Sequence, residues 1–121
     1  MSLDTMIRRL KAHPRYHEMG MIASHLGVVR ATSRNGAAVK SIEVRFDREA
    51  VDRIRTETKE MPGIVEVLIE TYEGTLNVGD EIMAVSVGGD IRPHVFPALT
   101  AAVDRMKEEA AAKKEVLDSG E

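Results

Sequence analysis

Leu3, Met6, Ile7 and Leu10 recur at helical spacing, so the first dozen residues predict a short amphipathic helix. Pro14 ends it, because the residue before a proline is pushed out of the α region, and residues 1–19 read as helix plus linker. From Gly20 to Thr32 the chain is rich in strand-forming residues. Ser33-Arg34-Asn35-Gly36 follows as a turn, its Asn-Gly favouring a hairpin. Val39 to Phe46 predicts the returning strand, with Ile42, Val44 and Phe46 alternating only approximately against Lys40, Glu43 and Arg45.

Asp47 is placed to cap a helix that carries Ala50, Val51, Ile54 and Met61 and closes at Pro62-Gly63. Ile64 to Tyr72 is again extended, Gly74 to Gly79 makes a tight connection, and Ile82 to Val87 is a further strand that Gly88-Gly89-Asp90 breaks. A last helix places Phe96, Leu99, Val103 and Met106 on one stripe. It continues through Glu108 to Glu115, a run of Ala, Glu and Lys, all strong helix formers. Residues 117–121, ending Ser119-Gly120-Glu121, read as a frayed tail. Helix, hairpin, helix, hairpin, helix implies an α+β fold, an antiparallel sheet packed with helices rather than a doubly wound parallel one.

Composition narrows the function classes. A length of 121 residues fits a single domain, 1–121, and 43% hydrophobic residues supply a core. Aromatic residues make up only 3%, with no Trp, so the core rests on aliphatic side chains and Met. That scarcity argues against a stacking platform for single-stranded nucleic acid. The formal charge of −3, from 17 basic and 20 acidic residues, argues against a duplex binder. No uncharged run, Ile82 to Gly89 among them, approaches the length of a membrane span. With no signal core near the N-terminus, a cytoplasmic location is expected. The absence of cysteine excludes disulfides, thiolate nucleophiles and cysteine-held metals.

Several segments could carry chemistry, each beside a plainer reading. Gly88-Gly89-Asp90-Ile91-Arg92 stands at a strand-to-helix junction, where backbone N–H groups and a guanidinium can hold an anion. It reads equally as a Gly-rich loop with Asp90 as N-cap. Lys113-Lys114, placed near a helix end, could yield one amine of altered basicity, or could simply offset the helix dipole. On a helix Glu109 would pair with Lys113 at i,i+4, leaving Lys114 the freer amine. Arg30, Arg34 and Lys40 surround one hairpin, facing an anionic ligand or protecting a sheet edge. His13 and His17 have the spacing of a helical metal pair, but Pro14 lies between them and no carboxylate motif accompanies them, so no metal site is expected. His25 and His94 are isolated.

Taken in order, these segments resemble the large, catalytic subunit of molybdopterin synthase. The resemblance runs through Gly20-Met-Ile-Ala-Ser-His-Leu-Gly27-Val-Val-Arg30, a polar hairpin from Ser33 to Lys40, and Gly74-Thr-Leu-Asn-Val-Gly79-Asp80-Glu81. It continues in Asp90-Ile91-Arg92-Pro-His-Val-Phe96, in Met106-Lys107, and in Ala112-Lys113-Lys114-Glu115. It implies a homodimer of α/β-hammerhead-like domains, each holding a small ubiquitin-like sulfur-carrier subunit with a C-terminal thiocarboxylate, a heterotetramer in all. The implied activity is transfer of two sulfurs to cyclic pyranopterin monophosphate, making the dithiolene of molybdopterin for molybdenum cofactor biosynthesis. No cofactor is implied, since the sulfur arrives on the partner.

By that resemblance Arg30 and Arg92 match the arginines that hold the anionic pterin. Lys114 matches the essential lysine when counted ungapped from Lys107, while aligning the Lys-Lys-Glu run admits Lys113. Ile91 stands where the pattern has histidine, and Ala111 and Ala112 where it has Pro and Trp. These departures motivate an alternative, a non-catalytic paralogue acting as a dimeric binding or assembly module.

Overall fold

A computed structural model describes residues 2–118. Helix α1 (Leu3–Lys11) forms as the apolar spacing predicts, burying Met6 and Leu10 completely. The Ser2 side chain accepts from the Thr5 backbone N–H, satisfying one of the donors a helix start leaves open. A single 3-10 turn (Tyr16–Glu18) then leads to strand β1 (Met21–Val28). Strand β2 (Val39–Phe46) precedes helix α2 (Arg48–Lys59), where Asp47 caps the N–H groups of Glu49 and Ala50. Ala50, Val51 and Ile54 are buried as expected. Gly63 ends the turn after α2 at φ +77°, a conformation that side chains with a Cβ rarely adopt.

Strands β3 (Ile64–Thr71), β4 (Gly74–Asn77) and β5 (Glu81–Gly89) follow, then helix α3 (Arg92–Arg105), a π turn (Met106–Ala110) and strand β6 (Ala111–Leu117). The strands make two three-stranded antiparallel sheets, ordered β1-β5-β3 and β4-β2-β6. The first carries Met83, Val85 and Val87 into the main core with Val95, Ala98 and Ala102 of α3. Its other face meets α1, where the Ser86 hydroxyl donates to Met6 Sδ at 3.7 Å and lies 2.7 Å from the Ser24 hydroxyl.

This α+β architecture corrects several local expectations. The turn at Ser33–Gly36 forms, but the strands flanking it do not pair as a hairpin. A lone bridge joins Thr32 to Ala38, and the chain then crosses from one sheet to the other. The connection at 74–79 contains β4, which leaves the first sheet to pair with β2 before the chain returns as β5. Gly88 and Gly89 do not break a strand. They are its last two residues, paired with Ile22 and Met21 of β1, and glycine suits both positions because a Cβ at Gly88 would lie 2.5 Å from Met19 Sδ and one at Gly89 2.7 Å from Val95 Cγ2. On α3 the buried face is Val95, Ala98, Ala102 and Val103; of the predicted stripe Val103 and Met106 are buried and Leu99 packs against the core, while Phe96 is exposed.

The largest correction concerns the C-terminal segment. The helix expected through Glu115 stops at Arg105, and residues 111–117 form a strand pairing with nearly all of β2. Local propensity favours helix there, but the open edge of β2 offers a full ladder of backbone hydrogen bonds, and tertiary pairing overrides the weaker preference. Leu117 pairs with Val39 and the Asp118 N–H donates to the Ala38 carbonyl, so ordered pairing reaches into the expected tail. Ser119, Gly120 and Glu121 lie outside the described residues.

Candidate functional site

A cleft of about 810 Å³ opens where the end of β1 and the loop after it face β2 and β6. The two sheets create it. The chain leaves the first sheet after Val28, fixed by the Val29 N–H donating to the Asp80 carbonyl, and enters the second at Val39. Val29, Val39, Ile42, Val44, Phe46 and Met83 are buried and give the cleft apolar walls. Two ladder irregularities shape the walls. Between Gly27 and Val28 the register slips, leaving Ile82 without an opposite residue on β1, and Ile82 lines the cleft. On β2 a similar slip leaves Lys40 bulged between Val39 and Ser41, which explains the imperfect alternation in its sequence.

Arg30, Arg34, Lys107 and Lys113 line this cleft, all exposed, together with Glu115. None of the four cations has a carboxylate partner among the described residues. Arg105 shows the contrast: its guanidinium bonds Glu109 at 2.6 Å and Glu57 at 2.8 Å, which ties α3 to α2 and raises its pKa. Glu109 is also 3.6 Å from Arg53, and these two arginines are its partners rather than Lys113. The i,i+4 pair expected on a helix therefore has no counterpart.

Adjacent lysines on a strand point to opposite faces. Lys113 is opposite Val44 and shares the cleft-facing side with Ala111 and Glu115, opposite Phe46 and Ile42. Lys114 is opposite Glu43 and lines a shallower hollow of about 400 Å³ with Arg45, Gly74 and Thr75, at whose edge Lys113 also appears. Of the expected site residues, the fold thus gathers Arg30, Arg34 and Lys113 around one cleft. Lys114, Lys40 and Arg92 do not line it. Arg92 begins α3 and is exposed.

The junction at 88–92 also differs from an anion loop. Asp90 accepts from the Ile91 N–H at 2.6 Å and lies 2.8 Å from His94 Nδ1. The His94 hydrogen bond holds the Asp90 carboxyl below its usual pKa. The carboxylate thus occupies the start of α3, where an anion would otherwise sit. His13 Nε2 is 3.3 Å from Glu66 and its Nδ1 accepts from the Arg15 N–H, while His17 is exposed. Among the described residues no three His, Asp or Glu side chains gather as a metal site would require, and no helix is long and apolar enough to cross a membrane.

The sequence of the MoaE protein family matches residues 1–109. The chain belongs to this family. A MoaE relative, the molybdopterin synthase catalytic subunit of Pyrococcus abyssi, is 34% identical over 84% of this chain and 72% of its own length. A probable molybdopterin synthase of Haloferax volcanii is 30% identical over 99% of this chain, which spans only 48% of that relative's length. The solved structure of molybdopterin cofactor biosynthesis protein E from Burkholderia multivorans is 26% identical and superposes with a TM-score of 0.76, over 97% of this chain and 84% of that one. The MoaE match ends just before β6, so it does not itself reach the two lysines.

Two cleft residues escaped the sequence. His25 looked isolated, and Lys107 was a landmark for alignment only. Nothing in the spacing of either predicts that the end of β1 and the turn after α3 meet. His25 lines the cleft, and burial, with Lys107 nearby, lowers its pKa.

Proposed function

We propose that this MoaE protein is the sulfur-transferring subunit of a molybdopterin synthase. It accepts the thiocarboxylate tail of a small ubiquitin-like carrier and passes sulfur to cyclic pyranopterin monophosphate. The observation that carries this reading is the convergence of one primary amine, Lys113, with two guanidiniums, Arg30 and Arg34, around a cleft with apolar walls.

The chemistry matches the parts. Planar guanidiniums grip phosphate in a bidentate way, while an ammonium acts as a point charge or, once deprotonated, as a nucleophile. Arg30 and Arg34 hold the substrate phosphate at the rim, and the apolar walls take the flat ring system. Lys113 either takes up the acyl group or positions the thiocarboxylate. The absence of cysteine fits, since the sulfur is delivered by another chain. Arg92 is outside the cleft of its own chain, and in this proposal a second copy, in a homodimer, brings it to the substrate. The location proposed is the cytoplasm.

Reconstitution tests the reading. The purified chain, the thiocarboxylated carrier and cyclic pyranopterin monophosphate should together yield the dithiolene product. Carrier binding without product would instead identify a non-catalytic assembly module.

A further inference from the structure

His25 Nε2 is fully buried and has no hydrogen-bond partner among the described residues, and the residue lines the cleft. The other buried side-chain atom of this kind among the described residues, Thr71 Oγ1, belongs to a residue outside the cleft. The imidazole lies on β1 over Gly27, where a Cβ would come within 3.5 Å of Nε2 and 3.6 Å of Met83 Cγ. The same cleft is lined by the buried side chains of Val29, Val44 and Met83, while its cations Arg30, Arg34, Lys107 and Lys113 are exposed. A buried polar atom without a partner destabilises a fold, and a hydrocarbon ring would fill this space without that cost. An unpaired nitrogen at a cleft wall is what a site needs when the ligand supplies the missing partner.

We infer that His25 is the specificity-determining residue of the cleft: its ring nitrogen makes the hydrogen bond that recognises a polar edge of a flat heteroaromatic substrate whose anionic group the exposed cations hold. Apolar walls, a buried unpaired ring nitrogen among them and a cationic rim fit a heteroaromatic anion better than a bare phosphate or a carboxylate, neither of which has a ring to fill the interior. Burial keeps the imidazole neutral, and a neutral imidazole serves either a ring N–H or a carbonyl, depending on its tautomer. This deepens the proposed function and rests on it for the identity of the substrate.

His25→Phe keeps a ring and removes the nitrogen, whereas His25→Gln keeps a polar end. With thiocarboxylated carrier in excess, His25→Phe should raise KM for cyclic pyranopterin monophosphate about tenfold while kcat changes little, and His25→Gln should recover part of the loss. His25→Phe should melt at or above the wild-type temperature, because it removes an unpaired buried nitrogen. An unchanged KM, or a lowered melting temperature with kcat falling in step, would overturn the assignment.

A second measurement needs no turnover. In ¹⁵N-histidine-labelled protein the Nε2 resonance of His25 should move when cyclic pyranopterin monophosphate is added and stay put with equal inorganic phosphate. Movement with phosphate alone, or none with the pterin, overturns the inference. If Nε2 moves with the pterin but the reconstituted wild type makes no product, the enzymatic reading fails and the His25 assignment stands. Product formation with an unmoved Nε2 sinks the assignment alone.

Discussion

Lys113 lies directly opposite Val44 in the β2–β6 ladder, on the side of β6 that faces the cleft. Its neighbour Lys114 is opposite Glu43 on the other side. The two amines, adjacent in sequence, therefore serve different surfaces. Lys113→Ala should lower the rate of dithiolene formation by about 100-fold or more, the usual effect of losing one well-placed charged or nucleophilic group. Lys114→Ala should stay within a few-fold of wild type. Steady-state assays on both variants check this, and the opposite ranking would show that the reacting groups meet on the outer face of the sheet.

Arg30 stands where the chain leaves the first sheet, at the cleft and unpaired among the described residues. Replacing it with Ala removes a charge-assisted contact to phosphate, about 1.5–3 kcal/mol or roughly 10- to 100-fold in substrate affinity. Arg30→Lys should recover only part, because an ammonium lacks the bidentate fork. Direct binding of the pterin at two salt concentrations measures both, and the wild-type affinity should fall more steeply with salt than that of Arg30→Ala.

Gly89 ends β5 between Gly63 and α3. A Cβ there would lie 2.7 Å from both the Gly63 carbonyl oxygen and Val95 Cγ2. Backbone on one side and a fully buried valine on the other leave nothing free to yield. Gly89→Ala should therefore destabilise the fold by about 1–3 kcal/mol, as overpacking of a filled core does. Urea denaturation gives the value, and a loss below about 0.5 kcal/mol would mean that α3 shifts without cost.

His25 predicts a pH effect on stability. Burial, followed by the charge of Lys107, depresses its folded pKa. Arg30 and Arg34 of the loop after β1, and Lys113 and Glu115 of β6, also line the cleft. Below the ordinary imidazole pKa, about 6.5, the unfolded chain takes up a proton that the folded chain resists. Stability is thus retained above that pH and lost as the pH falls from it toward the lower folded pKa. Denaturation midpoints between pH 7.5 and 5 (roughly one unit above and more than one below that ordinary value) should fall more for the wild type than for His25→Phe. Parallel curves would show that His25 protonates freely in the fold.

The α+β class, α1, the Asp47-capped α2 and most of the strand positions were legible in the sequence, because each rests on local signals. Those signals are apolar residues at a fixed period, a capping side chain, and glycine or proline where the chain must turn. Arg30 and Arg34 were legible as candidates for the same reason, being cations beside a turn. The amino-acid order also determined that sulfur could not come from this chain, since no cysteine is present. The family resemblance lay in those same positions, and the match over residues 1–109 agrees with it.

Tertiary structure alone decided the rest. Residues 111–117 favour helix locally, yet they became a strand because β2 presented an unpaired edge that a distant segment could satisfy. That change of period, from 3.6 residues to 2, is what separated Lys113 from Lys114. Nor does any local pattern state that His25 and Lys107 line one cleft, since the packing of α3 against β1 brings the turn after α3 to that strand. Contacts across many residues depend on which edges and faces remain to be covered once every element has formed, and no short stretch of sequence holds that information.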